Sequence, residues 1–113
     1  MKKGAARVET KDFTGVSDMR SLELEIEFFI ASARSRDKAL LKLVHGEGRR
    51  ALIARKTVRR MKNSGRAVCF LFGEELQKDG ATERYLSERF PELSEETPSE
   101  SVTYLCLAPI GVR

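Results

Sequence analysis

Leu40-Leu41-Lys42-Leu43-Val44-His45-Gly46-Glu47-Gly48-Arg49-Arg50 joins an apolar run, a glycine turn and the start of a basic stretch. The run reads as a strand over 38–44, and the stretch after Gly48 reads as a helix over 49–63. Residues 49–66 contain eight Lys or Arg and no Asp or Glu. A glycine turn from a strand into a helix presents backbone N–H groups, and the helix dipole adds positive potential there. Gly46 and Gly48 permit positive φ and close approach of a ligand to the backbone, although they also fit a plain turn. His45 is the one histidine of the chain and can exchange protons near neutral pH. The combination points to a phosphate-rich partner, DNA or RNA.

On the N-terminal side, residues 6–13 read as a first strand, broken at Gly15. Ser17 offers a helix N-cap, with Asp18 in the first turn. Met19, Leu22, Ile26, Phe29, Ile30 and Ala33 then recur at spacings of three and four, the inner stripe of a helix over 18–35. Glu23 and Glu27 fall off that stripe and read as a solvated acidic face. Strand, helix, strand in succession implies a right-handed crossover and a parallel pair. Asp12 and His45 then share the carboxyl edge of the sheet, where open α/β sheets bind ligands.

On the C-terminal side, Ala51, Ala54, Val58 and Met61 form the inner stripe of the basic helix, with Arg55, Arg59 and Lys62 in an outer row. Asn63-Ser64-Gly65 ends it. Residues 67–72 read as a third strand, apolar throughout and therefore central. Gly73 ends that strand. A short helix over 82–90 turns Tyr85, Leu86 and Phe90 inward and stops at Pro91. Residues 94–100 form an acidic loop, and Val102–Leu107 is a last strand, ended by Pro109. The fold class is α/β, a single small two-layer sandwich on a mixed sheet, with one domain over 6–108 and loose termini at 1–5 and 109–113.

Composition narrows the function classes. A net charge of +4 is modest, so where the charge lies matters more than its size. Cys69 and Cys106 sit in separate strand-like runs, with no CxxC or Cys/His cluster, so they read as reduced core residues and no metal site is expected. The lack of a disulfide framework points to the cytoplasm. No apolar segment follows Met1-Lys2-Lys3, and no window approaches the roughly 18 apolar residues of a membrane span. Tryptophan is absent, which favours contact with the nucleic-acid backbone over base stacking.

Asp12-Phe13-Thr14-Gly15, the helix that follows, and His45-Gly46-Glu47-Gly48 together resemble the small MutS-related domain, the Smr family. The likeness covers residues 6 to about 72, with a looser match in the last strand. The resemblance implies a βαβαββ sheet like the C-terminal domain of translation initiation factor 3, here with an extra helix before the last strand. It also implies DNA or RNA binding, with endonuclease activity in some members. Family members open with a Leu-Asp-Leu-His-Gly type motif and carry a later His-Gly-x-Gly. By motif position Asp12 matches the aspartate and His45 begins the second motif. Thr14 stands in place of the first motif's histidine, and Gly73–Glu100 replaces a short turn. Phosphodiester cleavage without a metal benefits from one group that removes a proton and another that supplies one. With Thr14 at that position the obvious histidine pair is incomplete.

The preferred reading is a nucleic-acid-binding module of weak or lost nuclease activity. Gly46, Gly48, Arg49, Arg50, Arg55, Arg59 and Lys62 would hold phosphates, with no cofactor and with any dependence on Mg²⁺ open. One alternative is an active endonuclease using His45 with Asp12. Another is a protein-interaction module whose contact surface is the loop at 94–100 and the segment before it.

Overall fold

The structure, a computed structural model, describes residues 7–110. Of the loose termini expected at 1–5 and 109–113, all but residues 109 and 110 lie outside the described residues. The order along the chain is β1 (Val8–Asp12), α1 (Met19–Ser35), β2 (Leu40–Val44), α2 (Arg49–Asn63), β3 (Ala67–Phe72), α3 (Ala81–Arg89) and β4 (Val102–Leu107). Short 3-10 turns at Gly73–Glu75 and Pro91–Glu95 flank α3.

β1 and β2 pair in parallel, as the crossover through α1 requires, with Asp12 opposite Val44. β4 pairs antiparallel with both β2 and β3, giving the sheet order β1-β2-β4-β3. β3 is therefore an edge strand, which corrects the expectation that it is central. The insertion of β4 between β2 and β3 displaces it. All six residues of β4 are buried, whereas β3 exposes Val68 at a register shift between Ala67 and Cys69. The continuous apolar run of β3 reflects cover on both faces rather than two neighbouring strands.

α1 and α2 cover one face. Leu22, Ile26, Phe29, Ile30 and Ala33 of α1 meet Ala54, Val58 and Met61 of α2 over Leu41, Leu43 and Leu105. The cap of α1 is Asp18 rather than Ser17. Its Oδ2 accepts from the Ser21 N–H at 2.9 Å, three residues on, where an N-cap side chain is needed. Glu23 and Glu27 are not a solvated face. Both pair with Arg60 of α2, and Lys56 lies 3.9 Å from Glu23.

The Gly73–Glu100 segment gives the second face its own layer. Leu76, Leu86, Phe90 and Leu93 pack on Leu40, Leu71, Val102 and Tyr104. It covers a face of the sheet. Gly73 is required at the root of this layer, because a Cβ there would lie 2.3 Å from the Ser99 carbonyl oxygen and 2.7 Å from that of Val102. The 94–100 loop is tied down through Glu96, which pairs with Lys42 at 2.6 Å and accepts from the Tyr104 hydroxyl at 2.9 Å. No helix among the described residues is long and apolar enough to cross a membrane.

Candidate functional site

The parallel pair brings Asp12, Phe13, His45 and the start of α2 to one end of the sheet. β3 runs in the same direction as β2, since both are antiparallel to β4, and it delivers Phe72 and Glu74 to that end.

His45 has no exposed surface. Residues 41, 43 and 45 point toward the α1–α2 layer, so its ring enters the core beneath α2. Nδ1 lies 2.7 Å from the Gly46 carbonyl oxygen and Nε2 lies 2.9 Å from the Thr103 hydroxyl. A carbonyl can only accept, so Nδ1 carries the proton and the Thr103 hydroxyl donates to Nε2 in the neutral ring. Burial holds its pKa below the ordinary value, the bond to Gly46 works the other way, and Arg55 and Arg50 depress it further. Both nitrogens are engaged inside the protein, an arrangement that orients the ring and gives no route to a solvent-borne phosphodiester.

Asp12 is exposed and does not contact His45. Its Oδ1 accepts from the Thr14 N–H at 2.8 Å and from the Thr14 hydroxyl at 2.6 Å. These bonds, assisted by Arg50, pull the carboxyl below its usual range. Thr14 thus closes a local turn on Asp12. An Asp12–His45 pair is not assembled.

Arg50 is also occupied. Its Nε donates to the His45 carbonyl and its Nη2 to the Phe13 carbonyl, each at 2.6 Å. It joins the segments that follow β1 and β2, and so serves the frame where a phosphate contact was expected. Gly46 makes room for it. A Cβ on Gly46 would sit 2.9 Å from Arg50 Cδ, and the backbone there has φ +99°. Gly48, at φ +67°, is the N-cap position of α2. The N–H groups of His45 and Gly46 both donate to the Ser101 carbonyl, at 2.8 and 3.2 Å. The first N–H groups of α2 have no partner within the helix.

The remaining basic residues divide between paired and open. Arg60 and Lys56 are directed toward α1, and Arg55 pairs with Glu74 at 2.6 Å. Arg49, Arg59 and Lys62 are exposed and have no ion pair among the described residues. The guanidinium of Arg55 lies 4.4 Å from the centre of the Phe72 ring, and that of Arg59 lies 5.3 Å from it. Phe72 in turn stacks on Phe70, at 5.3 Å between ring centres. Arg55 Nε is buried without a hydrogen-bond partner.

Sequence reasoning did not find Phe72, Glu74 or Thr103. Phe72 ends an apolar strand and reads as core, and Glu74 lies in a turn. Only the approach of β3 to α2 joins them to Arg55. Among the described residues no group of three His, Cys, Asp or Glu is placed to hold a metal ion.

The fold resembles a solved structure, the Smr domain of MutS2 from Thermus thermophilus, with a TM-score of 0.60. The match spans 89% of this chain and 99% of that one at 20% sequence identity. The architecture is thus Smr-like, as the motifs and their order imply. No family model and no curated protein matches the chain.

Proposed function

We propose that this domain binds nucleic acid through the start and outer face of α2, with Arg55, Arg59 and the ring of Phe72 at the centre of the contact. The observation that carries the reading is the pair of guanidinium groups over one aromatic ring. Stacking fixes the planes of the two forks before a ligand arrives, so less side-chain freedom is lost when they meet phosphate oxygens. Arg49 and Lys62 extend the positive surface along the backbone path, and the N-terminus of α2 adds a site for one phosphate.

Cleavage is left out of the reading. His45 is enclosed with both nitrogens engaged, Asp12 is closed onto Thr14, and no second histidine is available. The Smr-like fold supports the nucleic-acid assignment through the family resemblance, and the residues above supply the surface.

The test is a salt titration of labelled single- and double-stranded RNA and DNA against wild type and Arg55→Ala/Arg59→Ala. The double variant is expected to bind more weakly. Its plot of log affinity against log salt should be shallower by roughly 1.4 to 1.8 units, from about 0.7 to 0.9 per phosphate contact. Equal affinity and slope in a folded variant would overturn the assignment. Cleavage of any substrate by wild type, abolished in His45→Gln, would replace it with the endonuclease reading.

A further inference from the structure

Cys69 and Cys106 are about a third of the chain apart in sequence, yet they are register partners on adjacent antiparallel strands. Both side chains belong to the second face, Cys106 in its core and Cys69 packed against it. Residues directly opposite in such a ladder have Cα atoms about 4.5–5.5 Å apart, within the range of roughly 4.4–6.8 Å that a disulfide spans. The two thiols perturb one another, which raises the pKa of Cys69 and lowers that of Cys106. Cys106 is buried, but Cys69 is partly exposed and lines a small pocket of about 260 Å³ with Val68, Ala81, Thr82 and Tyr85. Val68 is exposed at the register shift beside Cys69.

We propose that Cys69 and Cys106 form a reversible dithiol–disulfide site, oxidised by a low-molecular-weight disulfide that enters through the Cys69 pocket. Cys69 Sγ, after loss of its proton, attacks one sulfur of the external disulfide, forms a mixed disulfide and releases one thiol. Cys106 Sγ then loses its proton, attacks the Cys69 sulfur and releases the second thiol. The protein loses two hydrogens and two electrons, and the external disulfide becomes two thiols. The neighbouring thiols and the positive potential of Arg89 and Arg7 favour the thiolate on Cys106 and hold Cys69 protonated, so the first attack draws on the minor thiolate population of Cys69, the partly exposed thiol of the pair. The bond would tie together the two roots of the layer that carries α3. It lies on the face opposite α2, so it is independent of the nucleic-acid reading.

The experiment exposes the folded chain to oxidised glutathione, quenches with a maleimide, and reads intact mass and peptide connectivity. The expected product is a monomer lighter by two hydrogen atoms, carrying no maleimide, with the peptides of Cys69 and Cys106 linked. Dithiothreitol restores two alkylatable thiols. Cys106→Ala is expected to keep a lasting glutathione adduct on Cys69, since no resolving thiol remains. Cys69→Ser, a milder change at the exposed partner, is expected to lose all reaction under native conditions. A lasting adduct on wild-type Cys69 with Cys106 free, a cross-linked dimer, or two thiols still alkylated after oxidation would each overturn the proposal.

Discussion

Arg50 Nε donates to the carbonyl oxygen of His45 at 2.6 Å, five residues before it on the other side of the glycine turn. The same guanidinium reaches the Phe13 carbonyl through Nη2. One side chain on α2 thereby holds the chain where it leaves β1 and where it leaves β2. The arginine that follows the glycine turn joins the two loops of the carboxyl edge and does not face the solvent.

Arg50→Ala is therefore expected to destabilise the fold by about 2–4 kcal/mol, because two partly buried carbonyls lose a charged donor. Urea denaturation reads this as a lower midpoint with an unchanged slope. Arg50→Lys should recover only part of the loss, since a point ammonium cannot replace a two-armed fork. Nucleic-acid affinity, measured well below the melting range, should change less than in Arg59→Ala.

Gly46→Ala sets a side chain at φ +99° and 2.9 Å from Arg50 Cδ. A cost of about 1–3 kcal/mol is expected from the backbone strain alone, with more from displacing Arg50. A double-mutant cycle separates the two. Combined with Arg50→Ala, the steric part should vanish and the two losses should be less than additive. Strict additivity would show that Arg50 does not fill the space above Gly46.

Stability should depend on pH through His45. Its pKa in the fold is lowered, so the unfolded chain binds the proton more readily. The contribution is complete above about pH 6.5, the unfolded value, and is lost as pH falls from there through the lower folded value. One group gives a slope of at most about 1.4 kcal/mol per pH unit. Asp12, Asp18 and Glu96 also have lowered values, but their unfolded references are 3.8, 3.8 and 4.5, so their losses come at more acidic pH. Urea midpoints at pH 7.5 and about 5.5 should differ for wild type and agree for His45→Gln.

Glu74→Gln should strengthen nucleic-acid binding. Glu74 holds Arg55 at 2.6 Å and competes with phosphate for it, and the substitution releases the guanidinium while removing one negative charge from the surface. An affinity gain of several fold at low salt is expected, fading as salt rises. Stability should move by less than about 1 kcal/mol, because the Glu74 end of the pair is exposed. Unchanged or weaker binding would place Arg55 outside the contact.

Most elements were legible in the sequence because their signals are local. The three-and-four spacing from Leu22 to Ala33 predicts a buried stripe, and those residues are buried. The stripe of α2 and the stop at Gly65 follow in the same way. The cap was misplaced by one residue, because Ser17 and Asp18 are both good caps and only the reach of a carboxylate to Ser21 separates them. The position of β3 failed for a different reason. An apolar run reports burial of both faces, and Gly73–Glu100 supplies that burial at an edge as well as a neighbouring strand would.

The sequence by itself determined which segments are helices and strands, the parallel pairing of β1 with β2, and the concentration of positive charge on α2. These follow from periodicity, caps and the handedness of a crossover, which act within short stretches of chain. Tertiary structure alone decided which charges remain open and which polar groups turn inward. Arg60 meets Glu23 and Glu27, Arg55 meets Glu74 and Phe72, His45 meets Thr103, and Cys69 meets Cys106. Each of these pairs joins residues far apart in sequence. A charge or a thiol acquires its chemistry from the partner and the dielectric that the fold places beside it, and neither is written in the spacing of residues along the chain.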